Sequence, residues 1–195
     1  EPGKPIEEVE RELGLTNVIK LASNENPLGP SRKALRAVRN ALRKIHLYPD
    51  GGCFYLKERL AAEMGVSKNQ LVIGNGSNEI IELLARGFLS PGDRVIASEA
   101  SFLVYPLITK VCGGEFVSAP MKNFRYDLKG VLDRIDERTK LIFIANPNNP
   151  TGTFSDDAQL RNFVNECSKK TFVLVDEAYT EFANLVSLKD LAVVN

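Results

Sequence analysis

The sequence predicts an α/β protein, an α/β/α arrangement of three layers with a mainly parallel sheet in the middle. Three observations predict it. Short runs at 94–98, 115–119, 141–145 and 172–175 are apolar enough to suit strands covered on both faces. Segments with helical patterning alternate with them, which calls for helices on each side of the sheet. Turn formers such as Ser90-Pro-Gly-Asp93 and Cys112-Gly-Gly114 fall at the joins.

Taken in order, residues 1–30 are rich in Pro, Asn and charge and read as an arm that packs elsewhere, with a short helix at 6–13. Residues 31–195 read as one larger domain. Helices are expected at 31–44 and 55–64, and the charges of 7–12 and 32–44 suit solvated helix faces. Leu71-Val-Ile-Gly74 reads as a short strand, Asn75-Gly-Ser-Asn78 as a tight polar turn, and 79–88 as an amphipathic helix. The strand at 94–98 leads to a helix at 102–112 and the strand at 115–119 to one at 128–135. The strand at 141–145 runs straight into a polar turn before a helix at 156–167, and the strand at 172–175 ends in a carboxylate and a phenol.

Composition narrows the class of function. A chain of 195 residues with 44% apolar content can bury a sizeable core. Its 25 basic and 25 acidic residues cancel, so nothing points to nucleic acid or an anionic membrane, and small-molecule chemistry is the default. No apolar run reaches membrane-spanning length and the first residues lack a signal-peptide core, so a cytoplasmic location is expected. Cys53, Cys112 and Cys167 are odd in number and far apart, which argues against a disulfide framework or a CxxC metal site.

The side chains offered at the strand ends are specific. Asp176 and Tyr179 are three apart, so a chain leaving its strand after Val175 projects both into one crevice. Open α/β sheets bind ligands there. A buried pyridinium needs a carboxylate partner, which Asp176 supplies. A phenolate-like oxygen beside it needs neutral donors, and Asn149 in Asn146-Pro-Asn-Asn-Pro-Thr-Gly152 and Tyr179 fit. Together they suit pyridoxal 5'-phosphate, which acts as an electron sink while its ring nitrogen is protonated. The turn at 75–78 followed by a helix start is an anion site: free N–H groups and the helix dipole face the ligand, and Gly76 permits close approach. Ser77 and Asn78 add side-chain donors.

Five ordered motifs carry a resemblance: Lys20-Leu-Ala-Ser-Asn-Glu-Asn-Pro-Leu-Gly-Pro30, Tyr48-Pro-Asp50, Asn75-Gly-Ser-Asn-Glu79, the Asn146–Gly152 turn, and Val175-Asp-Glu-Ala-Tyr-Thr-Glu-Phe182. The chain resembles the histidinol-phosphate aminotransferase family, within the fold type I, class II pyridoxal-phosphate aminotransferases. That resemblance implies that Gly76, Ser77 and Asn78 hold the cofactor phosphate, Phe102 stacks on its ring, Asn149 and Tyr179 hold the 3'-oxygen, and Asp176 holds the ring nitrogen. Many members have Tyr where Phe102 stands; Phe keeps the stacking and loses a hydroxyl. It further implies a homodimer in which Tyr48 reaches the partner subunit's cofactor phosphate, and it places residues 23–27, Asn26 among them, near the substrate. The implied reaction moves an amino group between histidinol phosphate and 2-oxoglutarate in histidine biosynthesis. An aromatic amino acid aminotransferase and a threonine-phosphate decarboxylase share the same cofactor framework.

The family's Schiff-base lysine, in a Ser-Lys motif a few tens of residues after the Asp-x-x-Tyr strand, is not found before Asn195. Lys189 follows Tyr179 but lacks the small, glycine-rich surroundings of that nucleophile. The chain is therefore read as roughly the first half of a longer enzyme, a partial large domain unable to transaminate unaided. Two other classes stay open. A pyridoxal-phosphate module without turnover would lack the Ser-Lys motif in its full gene. A nicotinamide-dependent dehydrogenase would use Gly74-Asn-Gly76 for a pyrophosphate and Glu99 for a ribose, but Glu79 stands at the third glycine and Asn149, Asp176 and Tyr179 have no task.

Overall fold

Ser31 and Gly14 punctuate the first helices. The structure, a computed structural model, describes residues 3–192. It divides into two units, one ending at Gly52 and one beginning at Cys53. The first unit holds α1 (Ile6–Leu13) and α2 (Arg32–Ala41), the latter running on as a 3-10 turn over Leu42–Lys44. Gly14 ends α1 at φ +63°, a left-handed stop that glycine adopts freely. Ser31 opens α2 by accepting the Ala34 N–H at 3.2 Å. Neither helix buries a side chain, so their charged faces meet water. The division after Gly52 lies beyond residue 30, where the sequence places the end of the arm.

The second unit contains α3 (Phe54–Met64), α4 (Gly76–Phe88), β1 (Arg94–Ser98), α5 (Val104–Val111), β2 (Glu115–Ala119), β3 (Met121–Lys122), β4 (Arg125–Tyr126), α6 (Leu128–Leu132), β5 (Thr139–Ala145), α7 (Asp157–Cys167) and β6 (Phe172–Asp176). Four strands form one parallel sheet in the order β2-β1-β5-β6. From β1 the chain steps outward to β2, then returns to the opposite side of β1 for β5 and β6. The direction of progress thus reverses between β1 and β5, the place where such sheets open a crevice beyond their carboxyl ends.

Alternation along the strands feeds two cores. Val95, Ala97, Leu141 and Phe143 face one layer with Ile81 and Ala85 of α4 and Tyr105 and Ile108 of α5. Ile96, Ile142 and Ile144 face the other, with Val131 of α6 and Leu160, Phe163 and Val164 of α7. Burying each large apolar side chain contributes roughly 1.5–3 kcal/mol, so the sheet is held from both faces. The three-layer α/β/α reading of the sequence is what the chain adopts.

Two local expectations are corrected, and one element is added. Residues 71–74 form no strand: the backbone is extended at Leu71, with φ −110° and ψ 123°, but pairs with none of the strands among the described residues. An apolar run becomes a strand only where a neighbour supplies the ladder bonds, and Val72 is 71% exposed. The helix expected from Glu79 begins at Gly76, which brings the polar turn into its first turn. Met121 to Tyr126 form a two-stranded antiparallel hairpin, too short to leave a pattern in the sequence. No helix among the described residues is long and apolar enough to cross a membrane.

Candidate active site

The carboxyl ends of β1, β5 and β6 and the first turn of α4 converge on one cleft. It is lined by Ser77, Phe102, Asn149, Asp176 and Tyr179, with Ala145, Pro147 and Ala178 between them. Each side chain arrives by its own element. Phe102 follows β1, Asn149 sits in the loop after β5, and Asp176 closes β6, one residue later than the sequence suggested.

Asp176 is placed by strand register. It lies opposite Ala145, and its carbonyl accepts the Asn146 N–H at 2.9 Å. The half-buried carboxylate is held at both oxygens by neutral donors. The Tyr105 hydroxyl donates to Oδ2 at 2.8 Å, and the Ala178 N–H donates to Oδ1 at 3.1 Å. Tyr105 is fully buried, stacked on Phe143 with ring centroids 4.4 Å apart and planes 5° apart. Burial first, and the Asp176 charge second, push its phenol far above the usual range, so it remains a neutral donor.

The loop carrying Asn149 is fixed by its neighbour. Asn148 donates through Nδ2 to the Ala100 carbonyl and to Thr151 Oγ1, each at 2.8 Å, and accepts the Tyr126 hydroxyl at 3.1 Å. Asn148 is buried and so fully paired, as a buried amide must be. The Asn146-Pro147 and Asn149-Pro150 peptide bonds are cis. Tyr126 in turn accepts the Ala145 N–H at 3.1 Å, and burial pushes its phenol up to about 12. Asn149, next along the same loop, lines the cleft.

At the start of α4, Gly76 sits at φ +79°, in the left-handed region that only glycine enters cheaply. No side chain caps the first turn, which leaves its N–H groups available to an anion. The Glu79 carboxylate instead folds back to accept the Asn75 N–H. Ser77 lines the cleft; Gly76 and Asn78 flank it in the same exposed turn without lining it.

Other sequence candidates belong to other parts of the chain. Tyr48 and Asn26 belong to the first unit, where both are exposed; Asn26 accepts the Leu28 N–H through Oδ1 at 3.0 Å. Lys189 borders a separate cleft with Val164, Val173 and Val175, side chains of the α7 face of the sheet. Glu99 accepts the Met121 N–H at 2.9 Å, a task within the hairpin that the dehydrogenase reading does not foresee. Tyr105, Tyr126 and Asn148 were not singled out by the sequence. For Tyr105 the available signal is its place three residues after Phe102, among the apolar residues that open α5.

The family model for aminotransferase class I and II matches residues 16–189. The chain belongs to that family. Among class I and II aminotransferases, the curated histidinol-phosphate aminotransferase of Moorella thermoacetica is 49% identical over 181 residues, covering 93% of this chain and 47% of its own length. That of an Anaeromyxobacter species is 50% identical over 190 residues, covering 97% of this chain and 52% of its own length. The crystal structure of histidinol-phosphate aminotransferase from Sinorhizobium meliloti in complex with pyridoxal-5'-phosphate matches with a TM-score of 0.86 at 28% identity, over 92% of this chain and 49% of that one. The chain spans about half the length of the curated relatives it matches. The fold is accordingly that of a fold type I aminotransferase large domain, present in part.

Proposed function

We propose that the full-length protein is a pyridoxal-phosphate-dependent aminotransferase that converts histidinol phosphate and 2-oxoglutarate to imidazole acetol phosphate and glutamate. One observation carries the cofactor reading: a carboxylate held by neutral donors alone meets an amide, a phenol, an aromatic ring and an uncapped helix start in one cleft. The carboxylate and the aromatic ring fit the cofactor's cationic ring, the amide and the phenol its 3'-oxygen, and the helix start its phosphate. The choice of amino donor follows the names of the relatives that are about half identical to this chain.

When bound, pyridoxal phosphate supplies an electron sink for charge developing at the substrate's α-carbon. Asp176 pairs with the ring nitrogen, and its negative charge favours the protonated ring. Asn149 and Tyr179 donate to the 3'-oxygen, and Phe102 packs on the ring face. Gly76, Ser77 and Asn78 hold the phosphate through first-turn N–H groups and the helix dipole. Tyr48 serves the phosphate of a second copy in a homodimer, and Asn26 lies near the substrate. Half of the relatives' length lies outside the match, and the lysine that tethers the cofactor is assigned to that half. In the whole protein, residues 1–30 act as the arm and 31–195 as part of the cofactor domain, in the cytoplasm.

Half-transamination of the full-length protein tests this. Histidinol phosphate is expected to discharge the absorbance of the bound aldehyde form, with phenylalanine and threonine phosphate much slower. If phenylalanine converts it and histidinol phosphate does not, the substrate assignment falls.

A further inference from the structure

Tyr105 is wholly buried, and a phenylalanine would fill its place between Phe143 and Phe102 equally well. A buried hydroxyl carries a desolvation cost that only a partner offsets. Its partner is Asp176 Oδ2, at 2.8 Å. The same ring meets Phe102 edge-on, centroids 5.8 Å apart and planes at 89°. One residue therefore touches both the carboxylate and the aromatic platform of the cleft. The choice of donor matters too. A lysine or arginine in this place would cancel the charge on Asp176, whereas a phenol fixes the carboxylate's plane and leaves its charge for whatever enters the cleft.

We propose that Tyr105 is a positioning residue of this site: its hydroxyl sets the plane of the Asp176 carboxylate and its ring sets the tilt of Phe102, so that a protonated heteroaromatic ring meets both at once. This rests on the reading of the cleft as a pyridoxal-phosphate site. Tyr105 itself touches no cofactor atom in this scheme and acts through Asp176.

The test is Tyr105→Phe in the full-length protein, which keeps the stacked ring and removes one oxygen. Equilibrium dialysis measures the affinity for pyridoxal phosphate, and cofactor labelled with 15N in the ring reports by NMR how far that nitrogen is protonated. The expected result is a Kd about tenfold higher, from the loss of one hydrogen bond to a charged group, and a ring-nitrogen shift moved toward the unprotonated form. Asp176→Ala, which removes the acceptor of the Tyr105 hydroxyl, supplies the second background. There the further loss of the hydroxyl moves neither quantity, because its effect runs through the carboxylate. Wild-type affinity and shift in Tyr105→Phe overturn the proposal, as do additive effects in the double variant. Wild-type protein that takes up no pyridoxal phosphate overturns the functional reading and this inference with it.

Discussion

Tyr126 donates its hydroxyl to Asn148 Oδ1 at 3.1 Å, and so ties the β3–β4 hairpin to the loop that presents Asn149. The same oxygen accepts the Ala145 N–H at the end of β5. Tyr126→Phe leaves both partners buried and short of a bond. It should lower stability by about 1–3 kcal/mol and weaken cofactor binding as Asn149 loses its anchor. Denaturant melts and cofactor titration of the full-length protein check both.

Asp176→Ala removes the carboxylate proposed to pair with the ring nitrogen. The sheet does not depend on that side chain, since the ladder runs through the Asp176 backbone carbonyl. The full-length variant should fold and lose roughly 10²- to 10³-fold in kcat. Circular dichroism and steady-state rates decide, and turnover close to wild type would refute the role.

Gly76→Ala tests the helix start. A Cβ there meets no atom within 4 Å, so the penalty is purely conformational. At φ +79° it should cost about 1–2 kcal/mol, read as a lower Tm, with weaker phosphate retention as the turn shifts.

Arg94 binds Asp136 at 2.6 Å and Glu115 at 2.7 Å at the amino end of β1. Arg94 holds the Glu115 carboxyl below its ordinary value of 4.5. Burial works to raise Asp136, but the Thr139 hydroxyl and Arg94 outweigh it and hold it below 3.8. Carboxyls depressed on folding add stability above their unfolded values and lose it as pH falls through the folded ones. Arg94→Met should therefore lower the Tm at pH 7, with the gap from wild type shrinking as pH drops below 3.8. Melts across pH 3 to 7 read this out.

Cys167 is fully buried, and burial pushes its thiol up to about 12. Thiolate is the reactive form, so a thiol reagent at pH 8 should label Cys53 or Cys112 and spare Cys167 until the protein unfolds. Peptide mapping before and after denaturation distinguishes the three.

The central strands β1 and β5 are legible in the sequence because a strand buried on both faces demands apolar residues at consecutive positions, and the flanking β2 and β6 keep enough of that signal to be read. Residues 71–74 carry the same signal and fail, because pairing depends on a neighbour that no local pattern names. Asp176, Asn149, Tyr179 and Ser77 could be grouped in advance since each ends or follows a strand or opens a helix, and the family resemblance added Phe102. Tyr105 and Tyr126 could not. A buried tyrosine looks like any core aromatic until its partner is known, and the partner of Tyr105 is 71 residues away.

The reversal of strand order between β1 and β5 gathers its cleft from stretches scattered between Ser77 and Tyr179. An unfolded chain has no such gathering, so whatever seats there binds the folded form alone and acts as a staple across three strands. Occupancy and thermal endurance are then one equilibrium: a ligand at a hundred times its Kd adds about 2.7 kcal/mol, and amide exchange along the ends of those strands slows in step.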